Sequence, residues 1–145
     1  MASARGIVGQ LGRIRERANC LIKEELERRA ICGIVPAHGS VLNFLFQQSE
    51  PVLIKEVVVR VGRVKSTVTG MIKTLEHHGY VRKTPSPEDG RAVYVELTKK
   101  GWDLRGDFDA ISEKLQETLY GAMPTSERWN LVRLLSTIED NLNDS

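Results

Sequence analysis

The residues best suited to binding chemistry are small hydroxyl side chains and cations near the middle of the chain. Hydroxyl and ammonium groups hydrogen-bond to base edges and phosphate oxygens, and arginine is a strong phosphate ligand. The alternative for Ser66 and Thr67 is that their hydroxyls only cap a helix. The candidates for base edges or nearby phosphates are Lys65, Ser66, Thr67 and Thr69, and those for phosphates are Arg63 and Lys73.

A second candidate contact lies in the segment Pro85-Ser86-Pro87-Glu88-Asp89-Gly90-Arg91, which is typical of a hairpin tip. Arg91 is the candidate for insertion into a minor groove, because a narrow groove concentrates negative potential. We expect Asp89 to orient Arg91 by a salt bridge. The alternative is a surface ion pair of little energetic consequence.

No group of residues in the sequence has the spacing of a catalytic or metal site. His77 and His78 are adjacent, and adjacent helical residues point about 100° apart, so they chelate one ion poorly. The sequence shows no phosphate-binding glycine loop and no nucleophile–base motif. We therefore expect no enzyme activity, no metal and no cofactor. His38 either lines an effector pocket or caps its own helix.

The two cysteines, Cys20 and Cys32, are too few for a disulfide framework. We expect both thiols to be small buried hydrophobes, with oxidation sensing as the alternative. No apolar run approaches the roughly 18 residues of a membrane span, and the N-terminus has no signal-peptide core. The sequence therefore predicts a cytoplasmic protein that does not contact membranes.

Residues 52–98 supply the elements that must position the candidate side chains: a helix, a tight turn, a second helix and a two-stranded wing. The turn is Val61-Gly62-Arg63-Val64, and the second helix is predicted over residues 65–78. The two strands are predicted over residues 80–83 and 92–97, joined by a loop of residues 84–91. On a helical wheel the second helix buries Val68, Met71, Ile72 and Leu75 and exposes Ser66, Gly70, Lys73 and His77.

Residues 53–60 are ambiguous by themselves. Consecutive β-branched residues at positions 57–59 favour a strand. Apolar residues at 54, 57, 58 and 61 fit a helix equally well. We predict a helix, because the turn and the helix that follow need a partner.

The ends of the chain carry longer apolar stripes than a small winged domain requires. They predict a helix to about Ala30, one opened by Pro36, and two more over residues 98–121 and 124–142. We expect a mainly α fold with a small β-wing (α+β), forming a single domain. Its winged-helix part would span residues 36–97, with the helix-turn-helix at about 53–78 and the wing at about 80–97. Residues 1–35 and 98–145 would be dimerisation helices, the first with a seam of Ile7, Leu11, Ile14, Ala18 and Leu21.

The charge distribution is more informative than the net charge of +2. Residues 53–100 carry 10 basic and 5 acidic side chains, a net +5. Residues 101–145 carry 4 basic and 9 acidic side chains, a net −5, and residues 1–52 carry 7 and 5, a net +2. The positive field therefore lies on the helix-turn-helix and wing, as expected of a phosphate-facing surface.

Five segments carry a resemblance to a known family: Pro36-Ala37-His38-Gly39-Ser40-Val41-Leu42, Lys65-Ser66-Thr67-Val68-Thr69, Leu75-Glu76-His77-His78-Gly79-Tyr80-Val81, Asp89-Gly90-Arg91 and Leu97-Thr98-Lys99-Lys100-Gly101. In this order and spacing they resemble the MarR family of winged-helix transcriptional regulators, over about residues 6–142. The resemblance implies an obligate homodimer, made by the first and last two helices, that binds inverted-repeat operators and usually represses. For many members it also implies release from DNA by a small, often aromatic, ligand.

Three positions depart from the family pattern. Val64 stands where a serine or threonine often caps the recognition helix. The first N–H groups of that helix would then bond to Ser66 or to the DNA. Gly70 stands where the family often has arginine; it costs about 1 kcal/mol of helix propensity but allows close approach of the backbone. Cys20 lies in the middle of its helix with no tyrosine near it in sequence, unlike the cysteines of oxidation-sensing members.

The sequence therefore predicts a sequence-specific DNA-binding transcriptional regulator that represses from a palindromic operator on double-stranded DNA. One alternative is a winged-helix protein–protein interaction module without DNA binding, and another is a cysteine-based redox sensor. Val64 and Gly70 keep the interaction module open as an alternative. The net +5 on residues 53–100 argues against it, because such a module does not need a basic wing.

Overall fold

The computed structural model describes residues 3–144 and confirms a mainly helical chain with a small antiparallel sheet. The chain divides after Ile111 into two compact units. Short 3-10 turns at Ala4–Gly6 and Pro36–His38 precede the first two helices. The helices are α1 (Ile7–Arg28), α2 (Gly39–Phe46), α3 (Ile54–Val61), α4 (Lys65–His77), α5 (Lys99–Trp102), α6 (Arg105–Tyr120) and α7 (Thr125–Asn143), and the strands are β1 (Val52–Leu53), β2 (Val81–Pro85) and β3 (Val93–Leu97).

The ambiguous segment before the turn is helical, as predicted. In α3 the side chain of Val57 is fully buried. The strand preference of this region appears only in the two residues of β1, which pair with β3 through Val52 and Val95. Gly62 adopts a left-handed conformation with φ 72°, and its N–H bonds to the Val58 carbonyl, which ends α3.

Helix α4 confirms the predicted division into two faces. Its buried residues are Val68, Met71, Ile72 and Leu75, which belong to the hydrophobic core. Ser66, Gly70, Lys73 and His77 are all exposed on the opposite side. The core therefore fixes which side of α4 faces solvent.

The wing differs from the prediction at its tip. The predicted end of the first strand was residue 83, but β2 continues to Pro85. The loop between the two strands is therefore residues 86–92. In the sheet order β1-β3-β2, β2 is an edge strand, and Pro85 pairs with Val93 at its end. Proline is compatible with an edge strand because no further strand needs its missing N–H.

A set of close contacts joins the end of α4 to the wing and to α5. Gly79 ends α4 with φ 80°. The Thr98 hydroxyl donates to the Gly79 carbonyl at 2.6 Å, and the Thr98 N–H donates to the Tyr80 carbonyl at 3.0 Å. A Cβ at Gly101 would collide with the Tyr80 carbonyl oxygen. We call these four residues the Gly79–Gly101 junction.

The C-terminal part contains one more break than predicted. Thr98 accepts a hydrogen bond from the Gly101 N–H and caps a helix, as expected, but α5 ends at Trp102. Helix α6 starts afresh at Arg105, so the predicted continuous helix over residues 98–121 is wrong. Helices α6 and α7 occupy residues 105–120 and 125–143, but among the described residues α6 buries only Ile111 and α7 buries none, so their apolar stripes are largely exposed.

The expectation that both cysteines are buried is also wrong. Cys20 and Cys32 are exposed free thiols. Helix α1 buries only Glu25 and Leu26 among its own residues, so Cys20 has nothing to pack under. Cys32 lies in the connection after α1, which ends at Arg28 rather than near residue 30. No helix in residues 3–144 is long and apolar enough to span a bilayer.

His38 is a buried helix cap. Its side chain is 7% exposed, and its Nδ1 accepts a hydrogen bond from the Val35 N–H at 3.0 Å. Burial, and secondarily the positive charge that His78 can carry, lowers the pKa of His38. Protonation would also remove the Nδ1 acceptor. The neutral imidazole is therefore the form that the fold selects.

This cap predicts a pH dependence of stability. The pKa of His38 lies near 6.5 in the unfolded chain and lower in the folded chain. The contribution of neutral His38 to the free energy of unfolding is thus complete above about pH 6.5. It is lost as pH falls through the lowered pKa that His38 has in the folded chain. A His38→Asn protein, which keeps an acceptor but does not titrate, should lose less free energy of unfolding between pH 7 and pH 5 than the wild type.

Urea unfolding at these pH values measures the effect. His77→Asn is the matched control, because His77 is an exposed histidine whose ring contacts His78. A His38→Asn protein with the pH slope of the wild type would contradict the assignment.

Candidate nucleic-acid interface

The exposed side of α4 carries hydroxyl groups that the fold does not use. Ser66, Thr67 and Thr69 are exposed, and within residues 3–144 none of their hydroxyls is hydrogen-bonded. The capping alternative for Ser66 and Thr67 therefore has no support in this geometry. Lys73 lies two turns further along the same side. These groups are available to a partner in solution.

The start of α4 is uncapped by any side chain. Val64 occupies the N-cap position with extended backbone angles and forms no cap hydrogen bond. Its side chain is 67% exposed. The first N–H groups of α4 thus face outward at the positive end of the helix dipole, an arrangement that favours phosphate oxygens.

Four of the predicted contacts are cations without an acidic partner. Within the described residues, Arg63, Lys65, Lys73 and Arg91 are exposed and take part in no ion pair. By contrast, Arg82 bonds to Glu96 at 2.8 Å and Lys83 to Glu76 at 3.3 Å on the wing strands. Uncompensated positive charge is therefore present on the turn, on α4 and at the wing tip.

The wing tip is ordered by a residue that the sequence analysis missed. The Ser86 side chain is 8% exposed, and its hydroxyl oxygen accepts from the N–H groups of Glu88 and Asp89, both at 3.3 Å. The Ser86 N–H donates to the Ala92 carbonyl at 2.9 Å and closes the loop. A serine between two prolines was the only available signal.

Asp89 acts on the backbone of Arg91 rather than on its guanidinium. Its Oδ1 accepts from the Arg91 N–H at 3.0 Å, and the Ala92 N–H bonds to the Asp89 carbonyl. No ion pair between Asp89 and Arg91 occurs among residues 3–144, so the predicted salt bridge is replaced by an Asx turn. The Arg91 side chain remains free to extend from a fixed backbone.

The wing and α4 adjoin each other at a shallow cleft of about 240 Å³. Lys65 and Thr69 of α4 line it together with Ala92 and Val93 at the start of β3. Lys55 of α3 completes the polar part of its rim. The helix-turn-helix and the base of the wing therefore border one cleft, and two of the predicted contacts, Lys65 and Thr69, line it.

Comparison with known proteins agrees with this geometry. A family model described as a winged helix DNA-binding domain matches residues 36–101. The HTH-type transcriptional regulator SarZ of Staphylococcus haemolyticus is 30% identical over 95 residues, which are 66% of this chain and 63% of that protein. The chain thus spans less than two thirds of the length of this relative. SarZ is a regulator, in agreement with the prediction that the chain is not an enzyme.

Solved structures show the same fold over a larger part of the chain. A MarR-like transcription regulator from Bacillus cereus has a TM-score of 0.76 at 24% identity, covering 95% of this chain and 96% of that one. The MepR protein of Staphylococcus aureus, solved as a complex with DNA, has a TM-score of 0.81 at 17% identity, covering 97% and 99%. The chain therefore has the winged-helix fold of these MarR-type structures, and residues 36–101 are the part that matches the winged helix DNA-binding domain.

Proposed function

We propose that the chain is a sequence-specific DNA-binding transcriptional regulator that represses from an inverted-repeat operator as a homodimer. The observation that carries this proposal is the set of unpaired cations on one helix-turn-helix and wing surface. Counterion release makes such cations the main source of affinity for DNA. Arg82 and Lys83 on the wing strands differ from these cations, because each of them is neutralised by a glutamate.

In this proposal α4 enters the major groove with its hydroxyl side outward. Ser66, Thr67 and Thr69, with Lys65, would contact base edges or nearby phosphates, and Arg63 and Lys73 would contact phosphates. Base edges in the major groove distinguish all four base pairs, so short hydroxyl side chains can contribute specificity there. The free N–H groups after Val64 would add a phosphate contact.

The wing would place Arg91 in the adjacent minor groove. Its loop is already closed by Ser86 and Asp89, so little conformational entropy remains to be lost on binding. Arginine in a narrow minor groove responds to groove width rather than to base identity. The proposed wing contact therefore adds a preference for A·T-rich flanks.

A second copy of the chain is the proposed cover for apolar side chains on α1 and α7. On α1, Leu11 is 36% and Ile14 45% exposed; on α7, Trp129 is 72% and Val132 45% exposed. Large exposed apolar side chains in rows mark interaction surfaces. Two-fold pairing would turn two α4 helices toward a palindrome. Residues 1–35 and 98–145 would then be the dimerisation part.

The proposal also includes release of the operator by a small aromatic effector, as in many MarR-family members. The direct test is selection of duplexes from a randomised pool at two salt concentrations. An enriched inverted repeat with half-sites about one helical turn apart, bound more weakly at high salt, is expected. Weak salt-sensitive binding without enrichment would favour the protein-interaction alternative. The selected duplex then serves as the probe for effector screening.

Removing a phosphate contact should weaken binding to all sequences. Lys73→Ala and Arg63→Ala are each expected to lower the salt slope of log Kd by about one. Arg91→Ala should lower affinity and flatten the preference for A·T-rich flanks. Fluorescence anisotropy at four salt concentrations measures the salt slope, and the same measurement on operators with A·T-rich and G·C-rich flanks measures the flank preference.

Arg105→Ala is the matched control, because Arg105 is an exposed cation on α6 outside this surface. Its salt slope should equal that of the wild type. Full operator affinity in the Arg91→Ala protein would exclude the wing contact.

Ser86→Ala should loosen the wing loop without unfolding the domain. The N–H groups of Glu88 and Asp89 lose their acceptor, so their amide hydrogens should exchange faster. Operator affinity should fall roughly threefold to tenfold, the range of one net hydrogen bond. The salt slope should not change, because no charge is removed. Ser86→Thr keeps the hydroxyl and is the control; unchanged exchange in Ser86→Ala would show that the hydroxyl does not order the loop.

A charge on the exposed apolar row of α1 should separate the proposed dimer. Ile14→Glu is expected to sediment as a monomer at micromolar concentration, because an unpaired carboxylate would be buried between the copies. Val59→Glu is the control, since Val59 is 77% exposed but lies on α3. A wild-type chain that sediments as a monomer would refute the assembly while leaving half-site binding measurable.

A further inference from the structure

Two residues of α4 oppose the stability of their own helix. Gly70 lies in its exposed middle, where glycine is the least favourable residue after proline. It is not among the glycines with positive φ. A Cβ built on it meets no atom of the described residues within 4 Å. Neither backbone conformation nor packing therefore requires glycine at this position.

Val64 presents the same conflict at the N-terminus of α4. The N-cap position prefers serine, threonine, aspartate or asparagine, whose oxygens accept from the first N–H groups. Valine provides no acceptor, and its side chain is too exposed to stabilise the core. Nothing within the folded chain favours this residue over a capping one.

Gly70 lies on the exposed side of α4, and Val64 is the exposed N-cap residue immediately before the helix. Gly70 lies one turn after Ser66 and Thr67 and one turn before Lys73, all of which are exposed. We call Val64, Ser66, Thr67, Gly70 and Lys73 the α4 contact face. It has a projecting apolar side chain at its leading end and a position without any side chain at its centre. Local conflicts of this kind concentrate where a sequence is selected for binding.

We propose that Val64 and Gly70 make the α4 contact face a reader of thymine methyl groups. The missing side chain of Gly70 would let the backbone approach the groove floor and leave room for one methyl group, and Val64 would pack on a second. The C5-methyl of thymine is the apolar group that base pairs present in the major groove. This inference rests on the proposed DNA-binding function and names the base feature that the helix selects.

The first part of the test measures stability without DNA. Gly70→Ala and Val64→Ser should each raise Tm, by about 3 °C, because they supply a better helix former and an N-cap. Gly106→Ala is the matched control, since Gly106 lies in α6 and a Cβ there also meets nothing. It should raise Tm and leave operator affinity unchanged.

The second part uses the operator selected by the wild type, with single thymines replaced by uracil, which lacks only the methyl group. Gly70→Ala should bind the thymine operator about tenfold or more weakly than the wild type. Uracil at one position per half-site should restore its affinity to that of the wild type on the same duplex. Val64→Ser should lose the sensitivity to uracil at the neighbouring position that the wild type shows.

The outcomes separate the two proposals. Wild-type affinity in Gly70→Ala would overturn the role of the missing side chain. Loss of affinity that no uracil relieves would overturn the assignment to thymine. A wild-type chain that selects no duplex at all would instead remove the proposed function, and this inference with it. A stabilised Gly70→Ala protein that is rescued by uracil at one position is the result that we expect.

Discussion

The close approach of Gly101 to the Tyr80 carbonyl is the constraint on which the placement of the wing depends. Because residue 101 has no side chain, α5 can lie against the turn that ends α4. Thr98 then satisfies two carbonyls of that turn, those of Gly79 and Tyr80. Tyr80 is buried, and a buried carbonyl without a donor costs more than a net hydrogen bond contributes, so its bond from the Thr98 N–H is hard to replace. Lys100 adds a further bond, from Nζ to the His78 carbonyl at 2.7 Å.

This junction also explains why α4 and the wing can act as one surface. Strand β2 leaves the turn at Val81 directly after Tyr80, and β3 returns to Thr98 at the same place. The two strands are held by five paired positions between Val81 and Pro85 and their partners. The distance from α4 to the wing tip is therefore set by backbone hydrogen bonds and not by flexible side chains. A partner as regular as duplex DNA requires such a fixed spacing.

The elements with strong periodicity could be predicted from sequence, whereas those that depend on distant pairing could not. The two faces of α4 follow from a 3.6-residue repeat, and α3 follows from the need for a helical partner. Strand β1 has only two residues, and its partner Val95 is far along the chain, so no local sequence pattern predicts this strand. Ser86 is similar, because its hydroxyl has a role only after the loop has closed on Ala92. At the interface, residue types identified the candidate cations. Only the structure shows that Arg82 and Lys83 are paired with glutamates, whereas the candidate cations are not.

Local stability and recognition make opposite demands on α4, and the composition of the helix shows how they are balanced. Its buried side is aliphatic apart from Met71 and belongs to the hydrophobic core, which fixes the helix without help from a cap. Because packing supplies most helical stability in proteins, the exposed side is free to carry residues of poor propensity. Val64 and Gly70 each cost about 1 kcal/mol of helix stability, which only a helix anchored in the core in this way tolerates. A contact face that followed helix propensity would be bulkier and more uniform, and it would distinguish one groove floor from another less well.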